Sequence, residues 1–276
     1  MSAIARALRD AARAFEPISD TPRLDAELLM AHALGVPREA LLLDPPDAEV
    51  PDSFAALVER RATGEPIAYL TGRRGFWTIE LEVAPGVLIP RPDSETLIAA
   101  AVEHFAGTEG PKRILDLGTG SGALLLAALD QWPNARGLGI DRSVVALDQA
   151  RGNAERLGIK DRAEFRIGDW AEGVTGRFDL ILCNPPYVAM GAALGPGVVE
   201  HEPQAALFAG KDGLDDLRRI ALAIGGLLAP GGLAAIEIGF DQSESAAQLF
   251  KSQGFLPVLA HDLAGHPRAL LLTAQD

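Results

Sequence analysis

The sequence predicts an α/β protein in which a doubly wound, mostly parallel seven-stranded sheet follows a small N-terminal helical bundle and a β-hairpin linker. Three observations carry that prediction. Apolar residues recur at helical spacing through residues 1–72, short apolar runs alternate with helical stretches from Arg91 onward, and glycines crowd the join between the first of those runs and its helix.

In the first region, Ile4, Leu8, Ala11, Ala12 and Phe15 make one apolar face of an opening helix. Its arginines suit a targeting peptide, but Asp10 and Glu16 do not, and no apolar signal core follows. The stretch "SDTPRLDAELLMAHALG" is punctuated as a second helix, with Thr21 as cap, Pro22 at the first position and Gly35 after the last turn. Residues 1–72 are therefore expected to form a helical substrate-docking domain. Over residues 73–90, Ile79, Leu81 and Val83 alternate with Thr78, Glu80 and Glu82 before Pro85-Gly86, which marks a hairpin or extended linker.

Residues 91–276 are expected to be the catalytic domain. The predicted strands are 113–117, 137–141, 163–167, 179–183, 233–239, 255–260 and 268–273, and helices near 94–106, 122–131, 143–157, 214–228 and 242–253 separate most of them. Helical crossovers of this length make the sheet parallel. The last two strands are too close in sequence for a crossover and should pair antiparallel.

Composition narrows the function. With 48% apolar and 23% charged residues the chain reads as an ordinary globular protein, and it has no run of eighteen apolar residues of the kind a membrane span needs. The net charge of −13 opposes nonspecific attraction to nucleic-acid phosphates. The single Cys183 excludes an internal disulfide and suits a reducing cytoplasm; within a predicted strand and without a nearby histidine, it reads as a buried structural thiol. The five histidines show no metal-ligand spacing, so no metal site is expected.

The loop after the first predicted parallel strand, "ILDLGTGSGALLL", holds Gly118, Thr119, Gly120, Ser121 and Gly122. Glycines there let the backbone turn sharply and approach a ligand closely, while the following helix presents free N–H groups. Gly118, Gly120 and Ala123 also satisfy a loose dinucleotide fingerprint, and Asp141, ending the second strand, suits ribose hydroxyls in either case. These residues indicate a ribose-bearing cofactor without choosing it.

Asp116 before the glycines, Asp169-Trp170 after the third strand and "NPPY" after the fourth together resemble the class I S-adenosylmethionine-dependent methyltransferases, which have a Rossmann-like seven-stranded sheet. The resemblance implies that the glycine loop holds the amino-acid end of the cofactor, Asp141 the ribose, and Asp169 and Trp170 the adenine.

Asn184-Pro185-Pro186-Tyr187 is a stiff corner, because two prolines remove two backbone donors and fix two φ angles. An NH2 group on an sp2 carbon is a weak nucleophile with two in-plane donors. The Asn184 side-chain oxygen and the Pro185 carbonyl can accept one each, and Tyr187 can stack on the planar group. No strong base is needed, since the nitrogen's proton becomes acidic once it is alkylated. Positioning two reactants lowers a barrier by up to about 7–11 kcal/mol, far more than either hydrogen bond contributes.

The blocks "RLDAELLMAHALG", "GEPIAYLTGRRGFW", "LIPRPDSETL", "ILDLGTGSGA", "CNPPYV" and "HEPQAALFAGKDGLD" span nearly the whole chain and resemble the peptide chain release factor N5-glutamine methyltransferases, the PrmC/HemK family. The resemblance implies methylation of the glutamine side-chain amide in the GGQ motif of class I release factors, with S-adenosyl-L-methionine as donor and S-adenosyl-L-homocysteine as by-product. It assigns substrate binding to Asn184, Pro185, Pro186 and Tyr187, and cofactor binding to Gly118–Gly122, Asp141, Trp170 and Asn184. From its charge and single cysteine the chain is expected to be cytoplasmic, with no stable nucleic-acid or membrane binding, and a monomer is expected. A sister group acts on a ribosomal protein and other bearers of this corner act on DNA. The "IPRPDSE" stretch favours the release-factor branch, although Thr is commoner there than Ser94. Arg91 and Glu95 are candidates for the entrance, the alternative being that Asp93 caps a helix and Arg91 pairs with it; Glu202-Pro203 is either a lid over the site or a surface loop, and the glycine-rich "FAGKDGLD" after it favours a mobile segment.

Overall fold

The helical periodicity of the first region is realised in the computed structural model, which describes residues 2–43 and 48–274. Helix α1 (Ala3–Phe15) starts where the Ser2 hydroxyl accepts from the Ala5 amide at 3.2 Å, and it buries Ile4, Leu8, Ala11 and Phe15. Helix α2 (Pro22–Leu34) ends at Gly35, which takes the left-handed φ of 68° that glycine adopts without a Cβ penalty. Thr21 occupies the position before it but caps no amide through its side chain; its hydroxyl instead points to Asp25 at 3.5 Å. Helices α3 (Arg38–Leu43), α4 (Asp52–Ala62) and α5 (Ile67–Thr71) follow. Phe15, Leu29, Met30, Leu41 and Phe54 meet in one apolar core. Two acids buried beside it are paired: Asp25 with Arg61 at 2.9 Å, and Glu27 with Arg23 and Arg38 at 2.6 and 2.7 Å.

The hairpin is β1 (Arg73–Phe76) and β2 (Ile79–Glu82). Then come α6 (Glu95–His104), β3 (Arg113–Leu117), α7 (Ala123–Gln131), β4 (Arg136–Asp141), α8 (Val144–Arg156), β5 (Ala163–Ile167) and β6 (Phe178–Cys183). The chain finishes with α9 (Val198–His201), α10 (Asp215–Leu227), β7 (Leu228–Glu237), α11 (Ser243–Lys251), β8 (Val258–His261) and β9 (Pro267–Thr273).

The seven-stranded sheet has the order β5-β4-β3-β6-β7-β9-β8. All pairs are parallel as far as β7, whereas β9 runs antiparallel to both β7 and β8. Strand order reverses between β3 and β6, so the loops leaving their carboxyl ends open a crevice where doubly wound sheets bind ligands. Alternation along β6 sends Leu180 and Leu182 into one apolar layer and Ile181 and Cys183 into the other. Cys183 is fully buried, and that burial pushes its thiol pKa up.

Two boundaries differ from expectation by more than two residues. Strand β7 begins at Leu228, five positions before the predicted start at 233, because Pro230-Gly231-Gly232 forms an irregularity inside the strand and not a turn before it; the β6–β7 register shifts there. Strand β8 begins at Val258, after Pro257, which cannot donate to a ladder.

The chain divides into two compact units, residues 1–73 with 193–202 and residues 74–192 with 203–276. Most of the hairpin expected as a linker thus belongs to the second unit, and the segment 193–202, expected in the catalytic domain, belongs to the first. The latter has a local cause: Gly197, at φ 79°, lies so close to Gly64 that a Cβ would fall 2.1 Å from the Gly64 carbonyl oxygen.

Candidate active site

The loop after β3 is drawn onto β4 by backbone and side-chain bonds together. The amides of Gly118 and Thr119 both donate to the Ile140 carbonyl at 2.9 Å. The Gly120 amide donates to Asp141 Oδ2 at 2.9 Å. Gly118, Gly120 and Gly122 all have positive φ, at 75°, 55° and 85°. At Gly118 the space is also taken, since a Cβ would lie 3.0 Å from the Trp170 ring. The loop can close this tightly only with glycine at that position.

Beneath it, Thr119 Oγ1 donates to Asp116 Oδ2 at 2.6 Å. Asp116 Oδ1 has no partner among the described residues. Burial is the main reason that the Asp116 carboxyl is pushed up to about 7, against the pull of Thr119. Asn153, fully buried on α8, clamps the loop from the other side. It donates to the carbonyls of Ser121 and Glu82 at 3.0 Å and accepts from the Glu82 amide at 2.8 Å, so one side chain joins the hairpin to the glycine loop.

Asp141 Oδ1 accepts from the Ser143 amide at 2.8 Å, and Ser143 in turn caps α8. Asp141 therefore orders the start of a helix and the glycine loop together, and each of its oxygens keeps a lone pair for a further donor. Asp169 is bonded to Arg219 at 2.6 Å, and Trp170 Nε1 donates to Asp216 at 2.9 Å. That bond holds the indole against Gly118 even though Trp170 has the unusual φ of 52°.

These groups line one cleft. Its wall includes Gly118–Ser121, Asp141, Asp169, Trp170, Asn184 and Pro186. The cleft pairs an indole face with an acid at a strand end and a glycine cradle, which fits a nucleoside-bearing cofactor. Asn184 Nδ2 donates to Ser94 Oγ at 2.9 Å. The Asn184 carbonyl oxygen is the end of that amide left for a ligand. Gly122, Pro185 and Tyr187 do not line the cleft. Gly122 starts α7, Pro185 is buried, and burial pushes the Tyr187 phenol well up, with the buried Glu237 adding to the effect.

Among the entrance candidates, Arg91 lines the cleft and Glu95 does not. Glu95 accepts from the Trp77 amide at 3.0 Å and so holds the hairpin turn, where Trp77 has a φ of 52°. The glycine-rich segment after Glu202 is bonded to its neighbours at several points. The Val188 amide donates to the Leu207 carbonyl at 3.0 Å and its carbonyl accepts from the Ala209 amide at 2.9 Å, the Met190 amide donates to the Gly210 carbonyl at 2.8 Å, and Gln242 Nε2 donates to the Tyr187 and Gly213 carbonyls. Pro203, Ala205 and Ala206 of that segment form part of the cleft wall, and Arg142 bonds the Ala205 carbonyl at 2.6 Å. Sequence reading missed Arg142 and Phe76, which line the cleft, and Asn153, which braces it; only Arg142, directly after Asp141, carried any signal of its position.

Comparison with known proteins decides the family. A release factor glutamine methyltransferase from Rhodospirillum rubrum is 45% identical over 91% of this chain and 79% of its own length. The enzyme of that name from Caulobacter vibrioides is 43% identical over 91% and 89%. The chain belongs to the release factor glutamine methyltransferase family. Within it, residues 6–72 match the PrmC N-terminal domain and residues 109–237 a methyltransferase domain. The fold is that of class I methyltransferases. A 16S rRNA N2 G1207 methyltransferase from T. thermophilus, solved with AdoMet and guanosine, superposes with a TM-score of 0.54 at 22% identity, over 74% of this chain and 50% of that one. A methyltransferase from Pyrococcus furiosus gives 0.54 at 20% identity, over 71% and 89%. Among the described residues, no helix is long and apolar enough to cross a membrane and no cluster of ligating side chains could hold a metal ion.

Proposed function

We propose that this chain methylates the side-chain amide nitrogen of the glutamine in the GGQ motif of class I peptide chain release factors, as a cytoplasmic enzyme. The observation that carries this reading is the setting of Asn184. It stands in the wall of a nucleoside cleft with its amide nitrogen committed to Ser94 and its oxygen left over.

S-adenosyl-L-methionine, when bound, supplies an electrophilic methyl group on a sulfonium and leaves as S-adenosyl-L-homocysteine. In this reading Gly118–Ser121 receive its amino-acid end, Asp141 its ribose, and Asp169 and Trp170 its adenine. Gly122 lets the loop enter α7. Asn184 Oδ1 and the Pro185 carbonyl each accept one N–H of the substrate amide, and Pro186 and Tyr187 give the corner its rigidity. The glutamine nitrogen is thus held in plane with its lone pair free to develop, and its surplus proton passes to water after transfer. The helical domain, residues 1–72, docks the release factor, and the hairpin at 73–90 connects it to the catalytic domain, residues 91–276.

The family name and the motif both support a release factor as substrate. Incubation with a labelled methyl donor, release factor, ribosomal proteins and DNA should label the release factor alone. Label on a ribosomal protein or on DNA overturns the choice of substrate.

A further inference from the structure

An asparagine amide is nearly symmetric in shape, so something must decide which end faces a substrate. The bond from Asn184 Nδ2 to Ser94 Oγ does not decide it alone, because a hydroxyl both donates and accepts. If Ser94 gave its proton to a reversed amide, Asn184 would present NH2 to the substrate's NH2. The orientation is unique only where the Ser94 proton is committed elsewhere.

Glu237, the last residue of β7, is fully buried beneath the corner. Neither of its oxygens meets a donor within strict hydrogen-bonding geometry among the described residues. The hydroxyls of Ser94 and Tyr187 nevertheless face it closely enough to favour its charged form. Buried acceptors in folded proteins are almost always bonded, and these two hydroxyls are the donors at hand. Ser94 itself is 3% exposed, which leaves water little access to compete.

We propose that Ser94 and Glu237 are positioning residues for methyl transfer: the Ser94 hydroxyl donates its hydrogen bond to Glu237, Ser94 can then only accept from Asn184, and the Asn184 oxygen is thereby turned to the substrate. The relay runs one way, from the Asn184 amide through the Ser94 hydroxyl to the Glu237 carboxylate, with the Tyr187 hydroxyl as second donor to the same acid. This inference rests on the activity proposed above, but its orienting step does not require turnover.

The relay is pH-dependent, because a protonated Glu237 can donate to Ser94 and free the amide to reverse. Burial, its largest influence, raises the Glu237 carboxyl to about 7 against the pull of Ser94, Tyr187 and Arg268, and Asp93 raises it further. The groups facing it are Ser94 and Asp93 from the turn before α6, Tyr187 after β6, Cys183 within β6 and Arg268 on β9. Arg268 is itself shared between Asp93 and Asp262 at 3.0 and 2.9 Å.

The chain contains only three asparagines, Asn134, Asn153 and Asn184, so selective 15N labelling gives three side-chain NH2 pairs by NMR. The Asn184 pair should be protected from exchange in the wild type above pH 7 and lose that protection as pH falls through about 7. Ser94→Ala should abolish the protection, Ser94→Thr should keep it, and Glu237→Gln should remove its pH dependence. With release factor, Ser94→Ala and Glu237→Gln should each lower kcat by about 10- to 100-fold with cofactor affinity unchanged, while Ser94→Thr stays near the wild type. An Asn184 pair that is insensitive to pH and to Glu237→Gln, or a folded Ser94→Ala enzyme with wild-type kcat, overturns the relay. A wild type with a pH-sensitive Asn184 pair that leaves release factor unlabelled upholds the relay and refutes the substrate instead.

Discussion

At Asn184 the side-chain oxygen is the group a substrate amide would meet, so removing it separates binding from turnover. Asn184→Ala should leave cofactor affinity within a few-fold by calorimetry and lower kcat by about 100-fold or more, because two reactants placed without that acceptor lose much of their alignment. A variant with near-normal turnover contradicts the role. Asp116 makes a different prediction. Its folded-state pKa is raised to about 7, so the folded chain holds this proton more tightly than the unfolded chain does. The resulting stability is fully present below the ordinary carboxyl pKa and is lost as pH rises through about 7, a change on the order of 4 kcal/mol. Asp116→Asn cannot titrate. Thermal unfolding should show the difference between variant and wild type moving in the variant's favour between pH 5 and pH 8, and a constant difference contradicts the assignment. Neither acid's buried state was legible in the sequence. Asp116 and Glu237 each follow apolar strand residues, but only the folded sheet shows that, among the described residues, no cation was placed against Asp116.

At the scale of elements, the glycine loop and the α8 clamp are two halves of one device. Gly118→Ala places a Cβ against Trp170 on a backbone with φ of 75°. A left-handed backbone alone costs an L residue about 1–2 kcal/mol, and the indole must also move, so cofactor affinity should fall by at least about tenfold. Equilibrium dialysis with S-adenosyl-L-methionine checks it, and unchanged affinity counts against the cradle. Asn153→Ala removes three hydrogen bonds at once, one buried and two part-buried, leaving backbone groups of the hairpin and the loop without this partner. It should destabilise the protein by about 2–4 kcal/mol in urea unfolding; a loss below about 1 kcal/mol shows that the clamp is dispensable. The strands themselves were legible, because apolar runs bounded by turn residues leave little freedom. Asn153 was not, since a lone polar residue in an amphipathic helix looks the same in sequence whether it faces solvent or clasps a loop. The β7 start was misplaced for a related reason: Pro-Gly-Gly signals a turn locally, and only pairing with β6 turns it into an irregular strand.

For the whole molecule, sequence predicted a helical domain followed by a seven-stranded sheet, and both are present with their helices in order. What it did not reveal was that residues 193–202 group with the helical unit, because that depends on Gly64 and Gly197 meeting across a long sequence separation. The net charge of −13 opposes a duplex substrate and leaves a protein loop as the better match for the Asn184 corner. The most direct measurement is mass spectrometry of the GGQ peptide cut from release factor after incubation with the enzyme and S-adenosyl-L-methionine. The account predicts a gain of about 14 mass units on the glutamine side chain, absent with Asn184→Ala. An unmodified glutamine, or the same gain on any other residue, contradicts it.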